Sequence, residues 1–198
     1  MNWKYPEVFD LSDVNVWKNK FMRKETLTRE WDLCLWEIAP NIYEIPLFTP
    51  EFCDKVVMNF SESRGEMIKI WDHLVELLPI NLELVEIMRM SIAEYMIHAL
   101  YHVWVIDAES LHKKTWTYGF HKFRKNQDLR VRHDGSFISM YVGLEDNIEG
   151  GELYFPKYDF ELKPKQGHCY FYPGRLTHRY GIKLLKSTEN HSLITYLS

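Results

Sequence analysis

The first forty residues mix aromatic and charged positions, with Trp17, Phe21, Trp31 and Trp36 set among Lys, Arg, Asp and Glu. This texture predicts a short helix around 13–24 and irregular packing around it. Asn41 to Phe48 alternates in part between apolar and polar residues and predicts a strand. Thr49 is then placed to cap a helix, with Pro50 at its first position and Glu51 and Asp54 in its first turn. Phe52, Val56 and Phe60 form one stripe, so that helix should run to about Glu62. Met67, Ile70, Trp71, Leu74 and Leu78 predict a further short helix before Pro79. The strongest helical period runs from Glu83 to about Trp104, where Leu84, Met88, Ile92, Tyr95, Ala99 and Val103 step by three or four. Asn81 can cap it. Ile87, Met90, Ile97 and Leu100 lie off that stripe, so the helix should be buried on more than one side.

After Lys114 the texture changes to short alternating runs separated by turn residues. The expected strands are 115–124, 129–133, 136–144, 152–155, 158–162, 168–172, 176–183 and 191–197. Asp146-Asn147, Gly150-Gly151, Pro164 to Gly167 and Pro173-Gly174 punctuate them. Helices followed by many strands predict an α+β fold, with helices on one side of an antiparallel sandwich or barrel. One domain over 1–198 is expected, with a helical and mixed part at 1–112 and a β core at 113–198.

Composition narrows the class. The 198 residues are 46% hydrophobic, enough for one sizeable core, and the 15% aromatic content suits large rings or a wide pocket. A net charge of −4 argues against a nucleic-acid groove. Three cysteines without a Cys-x-x-Cys pair give neither a disulfide framework nor a cysteine zinc site. No apolar run is long enough to span a bilayer, and the opening residues lack a signal-peptide core. The default expectation is a cytoplasmic, reducing compartment.

The chemistry concentrates between Arg132 and His178. A mononuclear Fe(II) oxygenase needs two imidazoles and one carboxylate on one side of the metal, with the other side open. Residues two apart on a strand share a face, so a His-x-Asp pair supplies two ligands from one strand. Here Arg132-His133-Asp134-Gly135 makes His133 and Asp134 neighbours. A regular strand would let Arg132 face Asp134 and turn His133 away, whereas a bulge would let His133 and Asp134 converge. His178 follows 45 residues after His133 and is the third candidate. His98 and His102 stand at i and i+4 on the long helix but lack the glutamate of a His-Glu-x-x-His site, and packing is the simpler reading. His73, His112, His121, His168 and His191 belong to no partner pattern.

Several blocks resemble the 2-oxoglutarate- and Fe(II)-dependent dioxygenases, and within them the C-terminal hydroxylase domain of procollagen-lysine hydroxylases. Tyr5 to Phe9 with Val16-Trp17-Lys18 is similar to that domain's opening segment. Ile42 to Phe48 and Phe52 to Val57 resemble its first strand and helix. Asp134-Gly135-Ser136 with Val142-Gly143-Leu144 resembles its metal-bearing strand. Gly150-Gly151, Lys157-Tyr158-Asp159 and Pro173-Gly174-Arg175-Leu176-Thr177-His178 resemble its later strands. The resemblance covers nearly the whole chain. It implies a double-stranded β-helix (jelly-roll) core, with Fe(II), 2-oxoglutarate, O₂ and ascorbate. It also implies hydroxylation of a lysyl or prolyl side chain of a protein or peptide, no nucleic-acid or membrane partner, and a homodimer paired through the barrel edge. Collagen modification would place the protein in the secretory lumen.

The same resemblance puts Arg132 in the place of the family's first histidine ligand and, against the lysyl hydroxylases, Tyr180 in that of the second, while many relatives place that ligand at the equivalent of His178. Asn190 falls where an arginine grips the far carboxylate of 2-oxoglutarate. An amide cannot carry that charge, and a poorly paired carboxylate costs on the order of 2–5 kcal/mol. Three expectations follow. In the first, His133, Asp134 and His178 hold iron, Asn190 meets the cosubstrate, and Tyr118, Phe123, Tyr141, Tyr170 and Tyr172 frame the substrate. In the second, Arg132, Tyr180 and Asn190 make a catalytically silent binding module, with the arginine in the cation's place. In the third, His133-x-Gly135 opens a halide position, as in 2-oxoglutarate halogenases.

Overall fold

The computed structural model describes residues 3–62, 69–71, 74–76, 81–106 and 116–198, with backbone alone at 61–62, 69–71 and 74–76. The N-terminal part opens with a 3-10 turn at Pro6–Phe9 and three short helices, α1 (Val14–Phe21), α2 (Lys24–Thr28) and α3 (Trp31–Cys34). Asp13 caps α1 by accepting from the amides of Asn15 and Val16 at 3.1 and 3.0 Å. Such a cap stabilises a helix by about 1 kcal/mol. Two strands follow, β1 (Trp36–Ala39) and β2 (Ile42–Pro46), and then α4 (Pro50–Glu62). Thr49 Oγ1 accepts from the Phe52 amide at 3.4 Å, as its position before Pro50 predicts.

The segment expected as a short helix before Pro79 is instead two strands, β3 (Lys69–Trp71) and β4 (Leu74–Glu76). They form an antiparallel pair, and β4 pairs with the edge of β5 (Trp116–Arg124). The ladder offered by that strand outweighs a weak local helical period. The long expected helix is present as α5 (Leu82–Ser91), one π-helical turn at Ile92–Met96, and α6 (Ile97–Trp104). Asn81 caps α5 through the Leu84 amide.

The remaining strands are β6 (Leu129–Arg132), β7 (Ile138–Gly143), β8 (Leu153–Phe155), β9 (Phe160–Leu162), β10 (His168–Pro173), β11 (Tyr180–Ile182) and β12 (Glu189–Leu197). They make two antiparallel sheets. The large one runs β1-β2-β10-β7-β12-β5-β4-β3, and the small one runs β6-β11-β8-β9. Strands β1 and β2 come from the N-terminal part yet complete the large sheet. Among the described residues no helix is long and apolar enough to cross a membrane.

Strand alternation divides the core in two. Met140, Val142, Cys169, Phe171, Leu193 and Leu197 face the helices and join Phe52, Val56, Leu84, Met88 and Leu100. Their strand neighbours Tyr141, Tyr170, Tyr172 and Ile194 face the small sheet and pack on Phe155, Tyr180 and Ile182. The ring centroids of Phe155 and Tyr172 lie 5.1 Å apart, and those of Tyr172 and Tyr180 5.5 Å apart. The interval between the sheets is therefore filled largely by tyrosine.

Candidate functional site

Of the predicted site residues, His133 and Asp134 lie between the end of β6 and the start of β7. Asp134 lies just past β6, in a loop held by the Pro173-Gly174 turn. The amides of Asp134 and Gly135 both donate to the Gly174 carbonyl, at 3.0 and 3.1 Å. Gly174 must be glycine there, because a Cβ would run into the hydroxyls of Ser136 and Ser139. Gly135 has φ of +74°, which lets the chain turn sharply after the aspartate. This explains locally why the blocks Asp-Gly-Ser and Pro-Gly-Arg, 38 residues apart at Gly135 and Pro173, occur together.

Both oxygens of Asp134 are occupied. Oδ2 accepts from Ser139 Oγ at 2.6 Å, and Oδ1 accepts from Tyr180 Oη at 3.2 Å. Ser139 Oγ lies 2.8 Å from Ser136 Oγ, extending the network. Burial raises the Asp134 pKa above the ordinary carboxylate value, opposed by Ser139, the Arg132 charge, Tyr180 and His133. Burial likewise pushes the hydroxyls of Tyr172, Tyr180 and Tyr196 up, and the negative charge of Asp134 adds to each. Tyr196 stands opposite Ser139 in the β12–β7 pair. The site is thus a carboxylate surrounded by hydroxyl donors with an arginine beside it.

Burial alternates across the trio, although β6 ends at Arg132. Arg132 and Asp134 are half-buried, while His133 between them is exposed. Arg132 is the register partner of Tyr180, so the two residues standing where the resemblance expects histidines meet across one strand pair.

His178 goes elsewhere. The expected strand 176–183 begins as a 3-10 turn, Leu176–His178, and only Tyr180–Ile182 pairs as β11. The turn aims the imidazole at the β1–β2 connection, where Nε2 lies 2.9 Å from the Pro40 carbonyl and Nδ1 3.0 Å from Thr177 Oγ1. A carbonyl only accepts, so Nε2 carries the proton. The one lone pair of the neutral ring, on Nδ1, then takes the Thr177 hydroxyl. Burial lowers the His178 pKa, with the nearby Lys157 charge acting in the same direction against the Pro40 contact. The Tyr158 ring packs on it at 5.1 Å.

An Fe(II) centre requires a carboxylate and two imidazoles with free lone pairs on one side of the metal. The residues present do not fit it. His133 is turned to solvent, His178 is bound to Pro40 and Thr177, and each Asp134 oxygen already accepts a hydrogen bond, from Ser139 or Tyr180. No group of three His, Cys, Asp or Glu side chains among the described residues is placed to hold a metal ion.

Asn190 faces the sheet interior at the start of β12, at the opposite end of that strand from Tyr196. Its amide nitrogen would meet a Cβ on Gly151 at 3.0 Å. Of the aromatics expected to frame a substrate, Phe123, Tyr141, Tyr170 and Tyr172 fill the inner core, whereas Tyr118 packs on the helix side. His98 and His102 are exposed on α6, and His102 lies 3.7 Å from Asp32. His73 and His112 lie outside the described residues.

The sequence reading missed Ser139 and Tyr196. The signal was available, since Ser139 precedes Tyr141 by two on β7 and Tyr196 follows Ile194 by two on β12. Both positions therefore share the inner face.

No family model matches the chain, and no curated protein matches it. Solved structures do. The viral collagen prolyl hydroxylase of Paramecium bursaria Chlorella virus-1, solved with 2OG, aligns at 15% identity over 80% of this chain and 95% of its own, with a TM-score of 0.62. A 2OG-Fe(II) oxygenase-family oxidoreductase from Burkholderia pseudomallei gives 10% identity, 80% and 84% coverage, and a TM-score of 0.60. A prolyl 4-hydroxylase from Phytophthora capsici gives 13% identity, 100% and 66% coverage, and a TM-score of 0.58. The chain therefore has the fold of the 2OG-Fe(II) oxygenases of prolyl-hydroxylase type.

Proposed function

We propose that this chain is a catalytically silent protein-binding module on the oxygenase fold. In this reading Arg132 and Tyr180 replace the two imidazole ligands, and Asn190 replaces the cosubstrate arginine. The observation that carries it is the state of Asp134. Its oxygens accept from Ser139 and Tyr180, and the Arg132 charge acts on it. An arginine beside a carboxylate supplies positive charge without an open coordination position, so the fold keeps its electrostatic balance and loses the chemistry.

The second reading is a 2-oxoglutarate-dependent hydroxylase of a lysyl- or prolyl-type protein or peptide side chain, assisted by ascorbate. The shared fold favours it, because the viral structure of that fold is a collagen prolyl hydroxylase with 2OG bound. It requires His133 to turn inward, His178 to leave Pro40, and Asn190 to meet the cosubstrate with help from a cation. The jelly-roll closure, a single domain over 1–198, and pairing into a homodimer belong to both readings.

Succinate release in the presence of Fe(II), 2-oxoglutarate, ascorbate and lysine- or proline-bearing peptides separates the two. The silent reading predicts succinate at the level of a protein-free control. Turnover that depends on His133 and His178 would establish the hydroxylase reading instead.

A further inference from the structure

Among the described residues, strand β6 is an edge of the small sheet, paired on one side only, with β11. The contact with Gly181 fixes which way its backbone faces. A Cβ at Gly181 would meet the Leu129 carbonyl oxygen at 2.7 Å and the Val131 amide nitrogen at 3.3 Å. Leu129 and Val131 therefore turn their peptide groups toward β11. Planar trans peptides then turn the N–H and C=O of Arg130 away from β11. The β6–β11 register shifts between Leu129 and Arg132, so this short irregular edge offers only those groups as a template for an added strand.

The side chains beside that edge share one sign. Arg130, Arg132, His133 and Arg179, with Leu129 and Val131, line a surface hollow of about 580 Å³. No carboxylate lines it. Arg130 and Arg179 are exposed and make no ion pair with any described residue, while Arg132 is shared with the Asp134 cluster. A basic hollow on a chain of net charge −4 is not a by-product of overall composition. Guanidinium groups hold carboxylates bidentately, and a short edge with few backbone bonds needs such charge pairing for affinity.

We propose that this edge and its arginines form a docking site for an extended, acidic peptide segment of a partner protein. The segment would add antiparallel to β6, exchange backbone hydrogen bonds with Arg130, and place alternate Asp or Glu side chains against Arg130 and Arg179. The proposal names the ligand class of the binding module described above, but its geometry does not depend on whether iron is held at Asp134.

The test is fluorescence anisotropy of the full chain with a labelled peptide of alternating Glu and Val. Its controls are the same peptide with Lys for Glu, an N-methylated version, and a single-stranded oligonucleotide of equal charge. The expected result is saturable binding of the acidic peptide alone, weakened by salt and lost on backbone methylation. Arg130→Glu and Arg179→Glu should each weaken it by roughly tenfold. Both positions are exposed, and unchanged circular dichroism would confirm folding of the variants. Tighter binding of the oligonucleotide, undiminished binding by the double variant, or no binding of the acidic peptide would each overturn the proposal. Succinate release measured on the same samples reports separately on catalysis, so failure of docking and failure of the silent reading are told apart.

Discussion

The outer face of the large sheet meets the helices through Met140, Val142, Phe171 and Leu193, whereas the inner face meets the small sheet through Tyr141, Tyr170, Tyr172 and Ile194. The same strands supply both faces, one residue apart. The outer face holds the fold by apolar burial, at roughly 25 cal/mol per Å² removed from water. The inner face adds polar groups that must find partners in a dry interval: Glu44, Asp134, Ser139, Ser192 and the tyrosine hydroxyls. Asp134 meets Ser139 and Tyr180, and Glu44 meets His168 and Lys165.

The difference predicts a graded response to substitution. Phe171 is fully buried between Tyr43, stacked at 5.3 Å, and Trp104 at 5.6 Å. Phe171→Ala on the outer face should cost about 3–5 kcal/mol in urea unfolding. On the inner face, Asp134→Ala strips the acceptor from Ser139 and Tyr180, and a loss of about 1–3 kcal/mol is expected. If Asp134→Ala proved the more damaging of the two, the division of labour between the faces would be wrong.

Glu44 sharpens the comparison by pH. It lies on the inner face opposite Tyr170, 2.8 Å from Lys165 Nζ and 2.7 Å from His168 Nδ1. Burial acts to raise its pKa, but His168 and Lys165 together hold it below its ordinary value of 4.5. A lowered folded-state pKa means this stabilisation is present above pH 4.5 and fades as pH falls through the folded value. Glu44→Gln should therefore lower thermal stability near neutrality and flatten the acid limb. A parallel shift at every pH would contradict that.

The smallest effect belongs to Tyr172. Its hydroxyl is fully buried and makes no hydrogen bond of good geometry. Tyr172→Phe should change stability by less than about 0.5 kcal/mol in either direction. A loss above 1 kcal/mol would place that hydroxyl inside the Asp134 network.

Much of this layout was legible in the sequence. The period of 83–104, the caps at Asn81 and Thr49, and the turn punctuation after Lys114 gave elements that the structure contains. Arg132 and Asp134 are half-buried and His133 is exposed, although the β6–β11 register shifts between Leu129 and Arg132 and β6 ends at Arg132. Two features were not legible. Lys69–Trp71 and Leu74–Glu76 are strands because β5 offered an edge, which no local window contains. His178 turned to the β1–β2 connection because Leu176–His178 closed into a turn, and its partner Pro40 lies 138 residues away in sequence.

The central claim is that Arg132 and Tyr180 occupy the positions of metal ligands. Titration with Co(II), followed by visible absorption, tests it directly on the unsubstituted chain and on an Arg132→His, Tyr180→His double variant. The account predicts no stoichiometric binding by the unsubstituted chain and about one bound ion in the variant, where His-x-Asp is restored on the β6 side. One equivalent bound by the unsubstituted chain, abolished by His133→Ala or His178→Ala, would contradict it.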